Sequence, residues 1–223
     1  MEQRKTILCY GDSNTWGLNP DTFNFETGAF TRHPYQIRWP GCMASFLGSD
    51  CRVIEEGYNG RTTVFEDPIR PGRCALPHFL VSYYSHEPLD LLVLMLGTND
   101  TKDIYAAQPA VIGMGVERLL RELFLILPAS LSPKLRTLLI SPPEVAPIGD
   151  SSKYYPGFSA ASREKSKQLP AIYEKLAGRY HCGFLNAAEF VTPSSVDGLH
   201  LNEDAHVKLG EVIGTKVKKM LGM

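Results

Sequence analysis

Short apolar runs alternate along this chain with longer segments in which apolar residues recur at helical spacing. Such alternation is typical of a parallel β-sheet that is covered by helices on both faces. The pattern therefore predicts an α/β fold, a three-layer α/β/α sandwich around a five-stranded, doubly wound parallel sheet. The candidate strands are Thr6–Tyr10, Arg52–Glu55, Leu89–Leu96, Leu135–Ile140 and Cys182–Leu185.

The segments between these runs predict five helices. The last is the best marked, because Asn202 can cap it and Glu203 and Asp204 fall in its first turn. Two long loops, Gly17–Arg38 and Ser141–Ser159, have the length of lids, substrate walls or assembly surfaces. The predicted helices are Trp39–Leu47, Pro77–Ser85, Pro109–Leu127, Ala160–Gly178 and Glu203–Met220.

Length and composition favour one globular domain that spans residues 1–223, since no linker-like stretch divides the chain. The formal charge of -1 gives no basis for a nucleic-acid partner. Lys216, Lys218 and Lys219 lie near the end of the last predicted helix, where cations complement the helix dipole. No segment reaches the roughly 20 apolar residues of a membrane span, so no membrane partner is expected.

The five cysteines are scattered, odd in number and free of any C-x-x-C pair. This arrangement indicates neither a disulfide framework nor a zinc site. The N-terminus also lacks the long apolar stretch of a secretory signal. A cytoplasmic protein without a metal or cofactor is therefore expected.

Ser13 follows the first predicted strand in the run Gly11-Asp12-Ser13-Asn14. Gly11 permits a tight turn, and a serine at the start of a helix would present its hydroxyl and N–H at the carboxyl edge of the sheet. Ligands bind at that edge in open parallel sheets. The position suits a nucleophile, although a serine there also serves as a simple helix cap.

Two further turns follow predicted strands. Gly60 belongs to a glycine-rich turn that could expose its backbone N–H, and Asn99 ends the run Gly97-Thr98-Asn99 after the most apolar strand. A backbone N–H and an amide side chain are the donors that stabilise a negative charge developing beside a nucleophile. Taken singly, each segment is equally well described as an ordinary turn.

Near the C-terminus, Asp197 and His200 have a D-x-x-H spacing. The carboxylate can bind one imidazole nitrogen while the other nitrogen faces a nucleophile, which fixes the tautomer that a general base needs. The chain order is then serine, aspartate, histidine. The spacing alone also suits metal ligation or a solvated loop.

Together the four segments resemble the sequence blocks of the SGNH, or GDSL, hydrolase superfamily. The resemblance extends from the first strand to the last helix and implies the flavodoxin-like fold of that superfamily. It also implies that Ser13 is the nucleophile and that Asp197 and His200 complete a triad. The Ser13 and Gly60 N–H groups, with the Asn99 side chain, would form the oxyanion hole. The matching residues are Gly11-Asp12-Ser13, Gly60, Gly97-Thr98-Asn99-Asp100 and Asp197-Gly198-Leu199-His200.

Within the superfamily the chain looks most like bacterial arylesterases and related acyltransferases. Stretches such as Arg38-Trp39, Arg61-Thr62-Thr63 and Ser141-Pro142-Pro143 carry this likeness. It implies hydrolysis of short-chain aryl or alkyl esters through an acyl-enzyme, acyl transfer in some members, and assembly into homo-oligomers. Asn14, where an aliphatic residue is usual, and the extended aromatic loop 18–37 depart from the common pattern and bear on substrate preference.

Four aromatic residues near these blocks are candidates for lining the substrate pocket, with ordinary core packing as the alternative. Arg61 is expected to anchor the turn that contains Gly60, the second of the four segments, rather than to contact an anionic substrate. The nearest functional alternative is a carbohydrate O-acetyl esterase of the same superfamily, and a more distant one is a non-catalytic binding module. A nucleotide-binding protein is disfavoured, because no G-x-G-x-x-G and no P-loop lysine pattern is present. The four aromatic candidates are Trp16, Trp39, Tyr58 and Phe65.

Overall fold

The computed structural model describes residues 4–24, 26–147 and 157–223, so the predicted loop Ser141–Ser159 lies partly outside the described residues. Seven strands and seven α-helices are recorded there. The strands are β1 (Lys5–Gly11), β2 (Leu18–Asn19), β3 (Thr31–Arg32), β4 (Cys51–Gly57), β5 (Leu91–Met95), β6 (Arg136–Ser141) and β7 (Gly183–Asn186). The helices are α1 (Ser13–Trp16), α2 (Trp39–Leu47), α3 (Leu76–His86), α4 (Pro109–Ile126), α5 (Ala160–Ser166), α6 (Leu169–Arg179) and α7 (Glu203–Leu221).

Five of the strands form one parallel sheet in the order β4-β1-β5-β6-β7. From β1 the chain passes to β4 on one side and then crosses to β5 on the other. From β5 the chain continues outward to β6, so the connections that leave the neighbouring strands β1 and β5 diverge, and a crevice opens at the carboxyl ends of these two strands. The predicted five-stranded parallel sheet is confirmed.

Both faces of the sheet are buried. Along β1, Leu8 and Tyr10 face one apolar cluster while Ile7 and Cys9 face the other, because successive strand residues point to opposite faces. The first cluster is completed by α3, α4 and α6, and the second by α2 and α7. This arrangement is the predicted three-layer sandwich.

One predicted helix is wrong in its continuity. The segment Ala160–Gly178 is not a single helix but two, α5 ending at Ser166 and α6 beginning at Leu169. Pro170 has no N–H to donate to the carbonyl of Ser166, and its ring collides with that carbonyl in a continuous helix. The same proline is well placed in the first turn of α6.

The remaining predicted elements agree with the structure to within two residues at each end. The Asn202 side chain caps α7 as expected, accepting a hydrogen bond of 3.0 Å from the N–H of Ala205. The loop Gly17–Arg38 contains a small antiparallel ribbon of β2 and β3, which the sequence pattern did not reveal. None of the helices in the described part of the chain combines the length and apolar character of a membrane-spanning segment.

Leu94, on β5, is fully buried, whereas Leu125, on α4, is 75% exposed. We expect Leu94→Ala to lower the free energy of unfolding by about 2–5 kcal/mol, since it removes buried surface and leaves a cavity. The control Leu125→Ala should stay within about 0.5 kcal/mol of the wild type. Urea unfolding followed by circular dichroism measures both, and equal losses in the two variants would contradict the assigned core.

Candidate active site

The turn after β1 places Ser13 as the first residue of α1, with Asp12 as its N-cap. The Asp12 side chain accepts a hydrogen bond of 3.0 Å from the N–H of Asn14. Gly11 is required for this turn, because a Cβ there would lie 2.0 Å from the Thr15 hydroxyl oxygen and 2.8 Å from the Met95 carbonyl oxygen. The local sequence therefore brings the Ser13 hydroxyl to the crevice at the sheet edge.

The loop before α7 brings His200 and Asp197 to the same place. The distance from His200 Nε2 to Ser13 Oγ is 2.9 Å, and that from His200 Nδ1 to Asp197 Oδ2 is 2.7 Å. The other carboxylate oxygen of Asp197 accepts hydrogen bonds of 2.9 Å from the N–H groups of Leu199 and His200. This chain of hydrogen bonds can move a proton from the serine hydroxyl to the imidazole.

Opposing effects act on the Asp197 carboxyl. Burial alone would raise its pKa, but the hydrogen bond and charge of His200, with the two backbone N–H donors, lower the pKa below its ordinary value. Asp197 is therefore ionised at neutral pH and accepts a hydrogen bond from the Nδ1–H group of His200. Nε2 is then left to accept the proton of Ser13.

Gly60 and Asn99 line the same cavity as Ser13. Gly60 has φ +78°, a conformation that favours glycine. Within the described part of the chain, neither the N–H of Ser13 nor that of Gly60 donates a hydrogen bond to another residue. The Asn99 amide nitrogen donates to the Arg61 carbonyl at 3.1 Å, and its second hydrogen leaves one donor for a ligand.

Arg61 anchors the Gly60 turn, which is the contact expected from the sequence. Its guanidinium donates to the carbonyls of Gly11, at 2.8 Å, and of Glu56. It also lies 4.1 Å from the centre of the Tyr10 ring. These contacts fix the second loop against the end of β1, immediately beside Ser13.

Asn14 was expected to bear on substrate preference, whereas in the structure it links Ser13 to the loop that carries His200. Its amide nitrogen donates to the Leu199 carbonyl at 3.1 Å, and its amide oxygen accepts from the Leu201 N–H at 3.0 Å. The two contacts flank His200 and hold its backbone beside α1. The sequence signal for this link was the presence of a polar residue directly after Ser13.

The cavity above Ser13 has a volume of about 770 Å³. Trp16 and Tyr58 line it, together with Phe158 from the end of the long loop before α5. Three cations, Arg70, Arg73 and Lys102, also belong to its wall and were not foreseen from the sequence. The loops that carry these cations meet only in the folded chain, so no local sequence pattern predicts that the three side chains share one wall.

Two of the aromatic candidates do not reach this cavity, and for them the prediction is wrong. Trp39 is fully buried where α2 packs on α7, and it belongs to the apolar cluster on one face of the sheet. Phe65 packs against the opposite cluster and stacks on Tyr105, with ring centres 5.3 Å apart. Both rings are used for packing rather than for contact with a ligand.

In residues 4–24, 26–147 and 157–223, no group of three or more His, Cys, Asp or Glu side chains could hold a metal ion. Asp197 and His200 bind each other, and the pair is completed by the serine hydroxyl. Their D-x-x-H spacing is thus used for a hydrogen-bonded chain.

A model of the GDSL-like lipase/acylhydrolase family matches residues 9–208, which include all four loops of the site. The chain belongs to this family. Membership of the GDSL-like acylhydrolases confirms the superfamily predicted from the sequence and the expectation of a carboxylic ester hydrolase. No curated protein matches the chain significantly.

Solved structures of similar proteins agree with this assignment. A carbohydrate acetylesterase from Sinorhizobium meliloti is 33% identical with a TM-score of 0.89, over 97% of this chain and 100% of that one. The native aryl esterase of M. smegmatis is 33% identical with a TM-score of 0.85, over 96% of this chain and 99% of that one. A putative arylesterase from Agrobacterium tumefaciens is 32% identical with a TM-score of 0.81, over 96% and 99%. All three likenesses confirm the predicted α/β fold.

Asp12, directly before Ser13, makes the stability of this acylhydrolase depend on pH. Burial raises the pKa of its carboxyl to about 6, although the Asn14 N–H and the charge of His200 oppose the shift. The unfolded chain ionises this carboxyl near pH 4, about the ordinary pKa. Ionisation therefore favours unfolding, and the contribution of Asp12 to stability falls as the pH rises from about 4 through about 6.

We expect Asp12→Asn to remove the loss of stability that ionisation of Asp12 causes as the pH rises. The free energy of unfolding of the variant, relative to the wild type, should rise by about 1–3 kcal/mol between pH 4 and pH 7. Urea titrations at four pH values measure the difference, with the exposed Asp21→Asn as the matched control. A difference that stays constant with pH would contradict the buried, protonated carboxyl.

Proposed function

We propose that the protein is a serine esterase that cleaves short-chain aryl or alkyl esters through an acyl-enzyme, and that one domain, residues 1–223, carries the whole reaction. The hydrogen-bonded chain Ser13–His200–Asp197, opening on the cavity beside Gly60 and Asn99, is the observation on which this proposal depends. A nucleophile, its base and the group that orients the base are the parts that acyl transfer requires.

In the first half of the reaction, Ser13 Oγ attacks the ester carbonyl carbon while His200 Nε2 takes the hydroxyl proton. The tetrahedral intermediate then expels the alcohol, which takes that proton from His200, and the acyl group stays on Ser13. In the second half, a water attacks the acyl carbon as His200 accepts its proton. The acid leaves, and His200 returns the proton to Ser13.

The negative oxygen of each intermediate would be stabilised by the N–H groups of Ser13 and Gly60 and by the Asn99 side chain. The lack of other acceptors for the two backbone donors within the described residues supports this role. The positive φ of Gly60 and the anchoring of its turn by Arg61 also support it. Donors held in place before the reaction need no reorganisation as charge develops.

We also propose acyl transfer to an alcohol as a second reaction, because an alcohol can replace water in the deacylation step. A cytoplasmic location is in keeping with five cysteines that are all free thiols. Self-association is supported by exposed apolar side chains beside the cavity, among them Phe30, Ile69 and Ile104. The mass of the protein in solution tests the last point.

A carbohydrate O-acetyl esterase is the second candidate. The acetylesterase from Sinorhizobium meliloti, 33% identical, favours it, and so does a cavity of about 770 Å³, which exceeds the volume of an acetyl group and leaves room for a sugar. Release of acetate from acetylated xylan or oligosaccharides, compared with release from an aryl acetate, separates the two. A sugar ester cleaved with the higher kcat/KM would make the carbohydrate the preferred substrate.

Ser13→Ala should reduce kcat for a 4-nitrophenyl ester by about 10³-fold or more, since the variant lacks the attacking oxygen. The exposed Ser85→Ala is the matched control and should keep wild-type activity. A fluorophosphonate probe should label the wild type at Ser13 and leave the variant unlabelled. A wild type that resists labelling would favour the non-catalytic binding module.

Asn99→Ala should lower kcat by about 10²- to 10³-fold with a much smaller change in KM, because the amide acts on charge that develops in the transition state. Steady-state kinetics on the same ester measure both constants. Asn24→Ala, at an exposed position outside the described cavity lining, is the control. Wild-type activity in Asn99→Ala would contradict the oxyanion role and leave Asn99 with only a structural role in its turn.

A further inference from the structure

One wall of the cavity carries a concentration of positive charge, formed by Arg70, Arg73 and Lys102. Asp67 is the one carboxylate among the described residues that line the cavity. The chain as a whole has a formal charge of -1, so this excess of cations is a property of the cavity and not of the protein. We refer to the three side chains as the cationic wall.

Arg73 connects the cationic wall to the reacting centre. Its guanidinium lies 4.5 Å from the centre of the Tyr58 ring and donates a hydrogen bond to the Asn59 carbonyl. A Cβ built on Gly60 would lie 3.4 Å from the Arg73 Cδ atom and 3.6 Å from its Nε atom. The positive charge is thus held directly beside the turn that presents the Gly60 N–H.

Lys102 lies three residues beyond Asn99, and its side chain is only 12% exposed. Its Nζ atom is 4.0 Å from Asp67 Oδ2 and 5.5 Å from the centre of the Phe158 ring. Burial lowers the pKa of Lys102, Asp67 opposes this shift, and the nearby charges of Arg70 and Arg73 add to it. Arg70 and Arg73 therefore both repel the charge of Lys102.

Asp67 cannot neutralise all of this charge. One of its carboxylate oxygens already accepts hydrogen bonds of 2.9 Å from the N–H groups of Ile69 and Arg70. Three cations facing one carboxylate leave a positive excess next to the nucleophile. An anion that enters the cavity would reduce the repulsion and gain charge-assisted hydrogen bonds in a partly dry environment.

We propose that the cationic wall binds an anionic group, such as a carboxylate, carried by the ester substrate. The inference rests on the proposed esterase function and specifies its substrate class. The anion belongs either to the acyl part or to the alcohol part of the ester. In both cases it lies close to the scissile carbonyl, because Arg73 adjoins Gly60 and Lys102 follows Asn99 closely in the chain.

The experiment compares matched esters that differ in one charge. For the acyl part, the mono-4-nitrophenyl ester of glutaric acid is compared with 4-nitrophenyl pentanoate. For the alcohol part, 4-acetoxybenzoate is compared with its neutral methyl ester. In at least one pair, we expect kcat/KM of the wild type to favour the anionic ester by about tenfold or more at low salt. The preference should fall as salt is added, and the pair that shows it identifies the part that carries the charge.

Arg70→Gln and Arg73→Gln should lower the ratio of kcat/KM for the anionic ester over the neutral ester by about tenfold. Arg70 is exposed, so its variant should fold even if loss of the Tyr58 contact impairs Arg73→Gln. The control Lys175→Gln removes an exposed cation on α6, outside the described lining, and should leave the ratio unchanged.

If the wild type hydrolyses the neutral esters and shows no preference for the anionic ester in either pair, the proposed role of the cationic wall is wrong. The proposed esterase function would remain intact. A preference that persists at full size in Arg70→Gln and Arg73→Gln would also overturn the proposed role of the cationic wall. A wild type that cleaves none of the four esters and is not labelled at Ser13 would overturn the esterase itself, and this inference with it.

Discussion

The candidate site depends on one hydrogen bond, 2.9 Å long, between residues that are 187 positions apart in the chain. Ser13 follows the first strand of the sheet and His200 precedes the last helix. Only the common edge at which the parallel strands end brings them together, because every strand delivers its following loop to that edge. The sheet is therefore the part of the structure that makes the chemistry of this acylhydrolase possible.

Buried polar groups link the loops of the site to one another. Asp100 is fully buried, and burial raises its pKa to about 6; it accepts a hydrogen bond of 2.9 Å from the Thr63 N–H and so ties the third loop to the second. Arg61 and Asn14 make the corresponding links between the other loops. Such groups lose solvation on folding and contribute mainly to the placement of the loops.

The sequence predicted the sheet and most of the helices, since buried runs and helical spacing are local patterns. Ser13, Asp197 and His200 each had an alternative interpretation, and the resemblance of the four segments to the GDSL superfamily joined them into one site. The sequence did not predict the break before Leu169, where the effect of Pro170 on the preceding turn outweighs the helical pattern. The sequence does not show which way an aromatic side chain points in the fold. For this reason Trp39 and Phe65 were wrongly predicted to line the substrate pocket. The cationic wall comes from separate loops, and only their tertiary convergence reveals it.

The position of His200, just before α7, has a consequence for the order in which the protein matures. During synthesis Ser13, Gly60 and Asn99, together with four of the five sheet strands, leave the ribosome well before His200 does. A nascent chain can thus form most of its core while its serine still lacks a partner. The hydrogen bond between Ser13 and His200 can then form only after the segment that carries His200 has joined a scaffold that is largely in place.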